Sequence, residues 1–408
     1  MLPKKSSQST SPLDPVQTDS RVIEIKPDID TFARIKVIGI GGSGGSALNR
    51  MVESDIRGVD FLAVNTDAQA LQQSIAENKI HIGRNVTRGL GAGMNPDLGK
   101  KAAEENLEDI KRSLQDTDMV FITCGLGGGT GTGAAPVIAD IAKNEIGALT
   151  IAVVTKPFTF EGAQRKAIAE AGYRELAQHV DAIITIPNDR LLQIIDKKTT
   201  LLDAFAIVDE VLHHGVQGIS ELITVPGLIN VDFADVKSIM QGAGSALMGI
   251  GTGSGENRAQ EAAKAAIDSP LLEVSIDGAK GILFTIAGGK DLTMHEINEA
   301  AQIITKSSDP NAKVIFGAII DEKLEDTVKI TVVATGFAGE DMPFKPQSRR
   351  SQNRIVPLLG DTEIDDEEEE FSSPIVRQSP PIRAKAEKYD EEEELEIPAF
   401  IRKRMQAE

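Results

Sequence analysis

The chain is 408 residues long and carries 62 Asp and Glu against 43 Lys and Arg, a formal net charge of −19. Its length admits two or three domains, and its charge opposes a general polyanion binder, so no nucleic-acid partner is expected. The single cysteine, Cys124, excludes a disulfide framework or a cysteine-based zinc cluster, and no apolar run approaches the ~20 residues of a membrane-spanning helix, so no direct membrane insertion is expected. The first residues include Lys4 and Lys5 but no apolar stretch after them, so no secretory signal is expected. With 37 Gly, no Trp and 4% aromatic residues, the composition is that of an aliphatic-packed α/β protein with many tight turns, soluble, acidic and intracellular.

Residues 1–33 are rich in Ser, Pro and charge and read as a flexible arm. From 34 to 337 short β-branched runs alternate with helix-length stretches. Strands are predicted at 35–40, 61–65, 119–123, 150–154 and 182–186, with helices at 96–114, 134–143 and 163–179 between them. That alternation implies a parallel sheet covered on both faces, a domain over 34–200. A long helix follows at 201–223, bearing Leu202, Phe205, Ala206, Val208, Asp209 and Leu212. Helices at 234–248 and 258–267 and strands at 281–286, 313–320 and 329–335 then predict a second, smaller α/β domain over 224–337. Residues 338–396 hold 17 acidic and 8 basic residues, with acidic runs at 365–370 and 390–394. Such a stretch buries too little apolar surface to offset its ordering entropy and is expected to be a disordered linker. The compact apolar–basic cluster at 397–408, IPAFIRKRMQAE, reads instead as a peptide that docks in a partner's groove.

Two glycine-rich loops carry the chemistry. Strand RIKVIGI runs into GGSGGSALNRM, which contains G-x-G-x-x-G as Gly39, Gly41 and Gly44 and opens a helix. Backbone N–H groups unobstructed by side chains, facing a helix N-terminus, suit a phosphate. Alone this pattern also fits a nicotinamide-dependent oxidoreductase, or a tight turn without a ligand. A second such loop, GLGGGTGTGAAP, follows strand DMVFITCG, with Thr130 and Thr132 supplying hydroxyls. A dinucleotide fold uses one loop for its pyrophosphate; two, after different strands of one sheet, suggest a polyphosphate held from two sides. A third, RGLGAGMNP at 88–96 with Ala92 and Gly93, could close over the terminal phosphate. No G-x-x-x-x-G-K-[ST] occurs, which excludes a P-loop NTPase. The five histidines have no ligand spacing, and Cys124, ending an apolar strand, reads as a buried small hydrophobe.

The segment GGGTGTG at 127–133 resembles the signature of the tubulin and FtsZ superfamily of GTPases. IKVIGIGGSGGSALNRM, FLAVNTDAQAL, TRGLGAGMNP, TKPFTFEGAQR, ITIPNDRLL and LINVDFADV resemble the FtsZ family of bacterial cell-division GTPases more than tubulin, and IPAFIRKRM resembles that family's tail peptide. The resemblance covers 34–337 almost continuously. It implies a GTP-binding domain, a central helix, a C-terminal GTPase-activating domain over 224–337, and bound GTP or GDP with Mg²⁺. Phosphate contacts are implied at Gly41, Gly42, Ser43, Gly44, Gly45 and Ser46 and at Gly128, Gly129, Thr130, Gly131 and Thr132. Ser43 and Ser46 depart from the family's usual Gly and Asn; both are small, and a hydroxyl can still bond a phosphate. Glu161 and Arg165 are implied at the ribose and nearby phosphate; without the resemblance they are an i,i+4 pair worth ~0.3–0.5 kcal/mol. Asn188 and Asp209 are implied at guanine, whose N1–H and N2–H₂ donors a carboxylate can accept, with Phe205 stacking on the base or packing in the core. The stretch 142–158 is one residue longer than is usual in the family, a difference expected to fall in the local turn.

LINVDFADV places Asp232 and Asp235 at i and i+3 at a helix start, where the helix dipole favours carboxylates. They are suited to orienting a water or cation, or simply to capping. The resemblance implies that Asn230, Asp232 and Asp235 enter the nucleotide site of the next subunit and polarise the attacking water. A head-to-tail contact of that kind propagates into an open filament. It further implies a cytoplasmic protein at the mid-cell division ring, partnered by itself and, through Ile397, Pro398, Phe400, Ile401 and Arg402, by membrane-anchoring and regulatory division proteins.

Overall fold

The β-branched runs of the first half condense into parallel strands, and the helices between them cover both sheet faces. The computed structural model describes residues 33–193, 198–272 and 275–337. The predicted linker and terminal peptide, and the arm apart from its last residue, lie outside the described residues. The chain divides into two units, Met1–Gln347 and Ser348–Glu408, and the described residues belong to the first.

The first half runs β1 (Ile35–Ile40), α1 (Gly41–Glu53), β2 (Val59–Asn65), α2 (Ala68–Gln73), β3 (Asn78–His81), α3 (Arg84–Thr87), α4 (Pro96–Glu105), α5 (Leu107–Leu114), β4 (Met119–Gly125) and α6 (Gly129–Asp140). It continues through β5 (Leu149–Lys156), α7 (Ala163–His179), β6 (Ala182–Pro187) and α8 (Asn188–Leu191). The 24-residue α9 (Leu201–Thr224) then leads to α10 (Phe233–Met240), β7 (Gly244–Ser254), α11 (Arg258–Ile267), β8 (Gly281–Gly288), α12 (Met294–Lys306), β9 (Lys313–Ile320) and β10 (Thr327–Thr335).

Among the described residues ten strands form one sheet in the order β3-β2-β1-β4-β5-β6-β7-β10-β8-β9. The first six are all parallel. The two halves join where Ala182–Ile184 of β6 pairs with Gly244–Ala246 of β7; β10 then runs antiparallel between β7 and β8. Helix α9 lies against this seam. Its Val208, Leu212, Val216, Ile219 and Leu222 share one core with Ile151 and Val153 of β5 and Leu283 of β8. A second core lies under α4–α7 and a third under α11 and α12.

Several element ends are written locally. Asn95 caps α4 ahead of Pro96 at its first position, and Thr293 and Glu296 form a capping box on α12. The helix predicted at 96–114 is two, because Asn106 leaves helical geometry and its Oδ1 accepts from the Gly83 N–H at 2.9 Å. The end of α6 runs on into a π-helical segment (Ile141–Ile146), which Gly147, at φ +81°, ends ahead of β5.

The helix predicted at 234–248 is overturned. It stops at Met240, and residues 244–248 begin β7, which sequence reading missed. Gly242 and Gly244, with φ +64° and +70°, turn the chain out of the helix. Within β7, Gly249, Gly251 and Gly253 fall at period two on one face, and α11 packs directly on them. A Cβ at these positions would sit 2.0–2.1 Å from carbonyl oxygens of Ala266, Ala262 and Arg258.

Candidate nucleotide-binding site

The order 3-2-1-4-5-6 reverses direction between β1 and β4, and in such sheets ligands sit beyond the carboxyl ends of the strands at that switch point. There α1 follows β1 without an intervening loop and α6 follows β4 after three residues. Neither helix has a side-chain cap at its N-terminus, so first-turn N–H groups lack that partner. The glycines make the approach possible. Gly41 has φ +73°, and a Cβ on it would come 3.0 Å from the Gly131 nitrogen, so the two N-termini abut; a Cβ on Gly44 would lie 2.4 Å from the Thr123 carbonyl oxygen. At Gly42, Gly45 and Gly128 an added Cβ would meet only open space, leaving backbone reachable from outside. Two positive helix ends converging in this way form an anion site.

The third loop closes on the same place. The Gly129 N–H donates to the Gly93 carbonyl at 2.6 Å, and Ala92 is buried beside it. The predicted threonine hydroxyls are already engaged: Thr130 Oγ1 pairs with Thr66 Oγ1 at 2.7 Å, and Thr132 Oγ1 accepts from the Gly127 N–H at 2.9 Å. These bonds hold the loop's shape, and Thr132, as the acceptor, keeps its own O–H to donate.

A cavity opens beside these helix ends. Of the predicted residues, Ser43, Ser46, Glu161, Arg165, Asn188, Phe205 and Asp209 line it together. Gly125, Leu126, Thr155, Pro157, Val208 and Leu212 complete the wall; these apolar and small residues carried no chemical signal in the sequence. Glu161 and Arg165 pair at 3.0 Å, but not along one helix: Glu161 ends a 3₁₀ turn (Thr159–Glu161), and Gly162, at φ +101°, separates it from α7. Asp189 clamps that turn to α8, accepting from the Thr159 N–H at 2.8 Å and its hydroxyl at 2.5 Å. Phe205 meets the buried Phe158 edge-on at 5.7 Å, and Phe158 stacks on Phe160 at 5.0 Å, so a core ring braces the cavity-lining Phe205.

The cavity has unfilled polar demand. Asn188 Oδ1 and Arg165 Nε are buried without a hydrogen-bond partner, and such atoms call for a ligand or water. Burial pushes the Asp209 carboxyl up to about 6, with the positive charge of Arg50 opposing the rise. Among the described residues no group of three or more His, Cys, Asp or Glu could hold a metal ion. Cys124 is fully buried, and its thiol is pushed up to about 12, which suits a packing residue.

Asn230, Asp232 and Asp235 are elsewhere. Helix α9 carries the chain ~22 Å from Asp209 to Thr224 at 1.5 Å per residue, and Thr224 Oγ1 donates to the Arg57 carbonyl, in the connection that enters β2 at its amino end, at 2.9 Å. The following segment brings all three to the surface. Asn230 Oδ1 accepts from the Gly227 N–H at 2.6 Å, and Asp232 caps α10 by accepting from the Ala234 N–H at 2.9 Å. None of them lines the cavity.

Comparison with known proteins agrees with this architecture. Residues 34–196 match the model of the Tubulin/FtsZ family GTPase domain, and residues 244–338 that of the FtsZ family C-terminal domain. An FtsZ dimer from M. jannaschii is 51% identical with a TM-score of 0.73, over 75% of this chain and 89% of that one. The chain belongs to the FtsZ family of tubulin-like GTPases. Two proteins from Haloferax volcanii share the fold: GDP-bound CetZ1 (22% identity, TM-score 0.65, 75% and 95% covered) and CetZ2, solved as a GTPγS-bound protofilament (21%, 0.63, 74% and 93%). The reading as a nicotinamide-dependent oxidoreductase finds no support in these matches.

Proposed function

We propose that the protein is a self-assembling GTPase that polymerises head to tail and hydrolyses GTP between subunits, as the scaffold of the bacterial division ring. The observation that carries this reading is the split in its machinery. The polyphosphate cradle lies at one end of α9 and the acidic segment at the other, too far apart for one chain to join them.

In this reading N–H groups within 41–46 and 128–132, apart from that of Gly129, which Gly93 already accepts, hold the phosphates, and Ala92 and Gly93 close over the terminal one. Arg165 and Glu161 hold the ribose side, Asn188 and Asp209 read the guanine edge, and Phe205 covers the base. The orphaned Asn188 Oδ1 and Arg165 Nε fit such a polar ligand. Mg²⁺ would enter on the phosphate oxygens, where it supplies charge neutralisation. Asn230, Asp232 and Asp235 of the next subunit would orient the attacking water. A carboxylate oxygen accepts a hydrogen bond from that water. Exposed apolar side chains near the cavity mouth (Phe160, Leu202 and Phe205) and at the acidic segment (Leu228) supply surface for the contact.

Among the described residues no helix is long and apolar enough to cross a membrane. A cytoplasmic protein that reaches the membrane through partners bound at 397–408 is consistent with this reading. The decisive experiment measures GTPase rate per subunit against protein concentration for wild type and Asp235→Ala. A specific rate that rises above a threshold concentration, and falls at least ~100-fold in the variant while filaments persist, supports a shared site. A concentration-independent rate would mean a self-contained one and end the proposal.

A further inference from the structure

We propose that Gly227 is a positioning residue for the acidic segment: it lets the chain from Gly227 to Ile229 lie as an added strand on the edge of β9, and that docking sets where Asp232 and Asp235 stand. This rests on the shared-site reading above and deepens it. Among the described residues β9 ends the sheet, and its outer edge pairs with the segment that follows α9. Ile229 bridges Ala318 in the antiparallel sense. The Ala318 N–H donates to the Ile229 carbonyl at 3.1 Å, and the Leu228 N–H donates to the Ala318 carbonyl at 2.8 Å. The contact continues in antiparallel order. Lys313, at the start of β9, donates to Ser238 Oγ of α10 at 2.5 Å, and that hydroxyl donates to the Asp235 carbonyl at 2.5 Å.

The docking fixes a register. From Gly227 to Asp232 burial alternates as it does along a strand: Gly227, Ile229 and Val231 are covered, and Leu228, Asn230 and Asp232 are exposed. Ile229 packs on the third core, and Val231 belongs to the first. A slip of one residue would exchange the two faces and bury Asn230 and Asp232. The bond from the Gly227 N–H to Asn230 Oδ1 at 2.6 Å closes the turn that enters this register.

Two glycines admit the contact. Neither Gly227 nor Gly317 has a positive φ, so what each position requires is the missing side chain. A Cβ on Gly227 would lie 2.4 Å from the Ala318 carbonyl oxygen, the same atom that accepts from Leu228. That oxygen is backbone and cannot rotate aside, so the segment must lift from β9. A Cβ on Gly317 would meet Leu222 Cδ2 at 2.3 Å, which can rotate away, and the Ile229 carbonyl oxygen at 3.1 Å, a milder crowding of the same strand. Either displacement passes along the chain to Asp232 and into α10, whose N-terminus Asp232 caps. A catalytic group misplaced by about 1 Å can cost about 100-fold in rate, whereas the elements that form the nucleotide cavity are untouched.

The test compares wild type, Gly227→Ala, Gly317→Ala and Gly251→Ala for GTP affinity, filament formation, kcat and KM. Gly251→Ala is the structural control, because its Cβ would also clash with backbone, 2.1 Å from the Ala262 carbonyl oxygen, but on the face that packs against α11. Gly227→Ala should lose at least about tenfold in kcat, with KM and GTP affinity within about twofold of wild type and filaments persisting. Gly317→Ala should lose less, and Gly251→Ala should keep the wild-type kcat. Gly227→Ala mixed with Asp209→Asn should recover activity, since the second supplies an intact acidic segment; mixed with Asp235→Ala it should not. A wild-type kcat in Gly227→Ala, or in Gly317→Ala should the first fail to fold, overturns the positioning role. So does an equal loss of kcat in Gly251→Ala, or a loss of GTP affinity in Gly227→Ala as large as its loss of kcat. A wild-type rate per subunit that is independent of protein concentration overturns the shared-site reading itself.

Discussion

Thr224 Oγ1 donates to the Arg57 carbonyl at 2.9 Å, and this bond ties the last turn of α9 to the connection at the amino end of β2, away from the phosphate loops. Helix α9 thereby becomes a spacer of fixed length between Asp209, near its start, and Asp232, just past its end. If the proposed site is divided across that spacer, it takes a second copy to complete it.

Mixing two inactive variants tests this division. Asp235→Ala leaves the nucleotide end intact and Asp209→Asn leaves the acidic segment intact, so each alone should be inactive as a GTPase at neutral pH. Their mixture should recover phosphate release, because one class of interface combines both intact halves. A mixture as inactive as its components would contradict a shared site.

Asn188→Leu should separate stability from function. The Oδ1 it removes is buried and unpartnered, so thermal unfolding should hold or improve, by about 1 kcal/mol at most. GTP affinity measured by nucleotide titration should drop at least tenfold, or about 1.4 kcal/mol. A fall in unfolding temperature with unchanged affinity would assign Asn188 to the core.

Acid stability should report the Arg258 cluster. Arg258, itself buried, donates through Nε to Glu296 at 2.6 Å and through NH1 to Asp291 at 2.5 Å. The guanidinium, helped by hydrogen bonds from Thr293, holds the Glu296 carboxyl down at about 2. A carboxyl depressed in the folded state stabilises fully above its unfolded value of about 4.3 and loses that contribution as pH falls toward 2. Glu296→Gln should therefore cost about 3 kcal/mol at pH 7, with a shrinking difference from wild type below pH ~4 in denaturant titrations.

Gly251→Ala should destabilise without touching the cavity. Its Cβ would lie 2.1 Å from the Ala262 carbonyl oxygen, so α11 must lift from β7, at a cost of about 1–3 kcal/mol. Calorimetry should register a lower unfolding temperature while nucleotide affinity at saturation stays unchanged.

Much of the fold was legible locally. The strands at 35–40 and 313–320 and the helices at 163–179 and 258–267 have the bounds that patterning predicts. Misreadings cluster where a residue serves a distant neighbour. Residues 244–248 scan as the continuation of an apolar helix, and the strand appears only once Gly249, Gly251 and Gly253 are recognised as a period-two stripe that admits α11. Asn106 breaks a predicted helix because its side chain satisfies Gly83.

The sequence by itself determined the glycine loops, the acidic pair at a helix start and the family, because backbone access and helix capping are written in residue type and short spacing. Only the tertiary structure decided that Ser46, Asn188 and Asp209 share one wall and that Asp235 does not line it. Those relations depend on the twist of a sheet and the length of a helix, which sum contributions from the whole chain, whereas residue spacing reports only on neighbours.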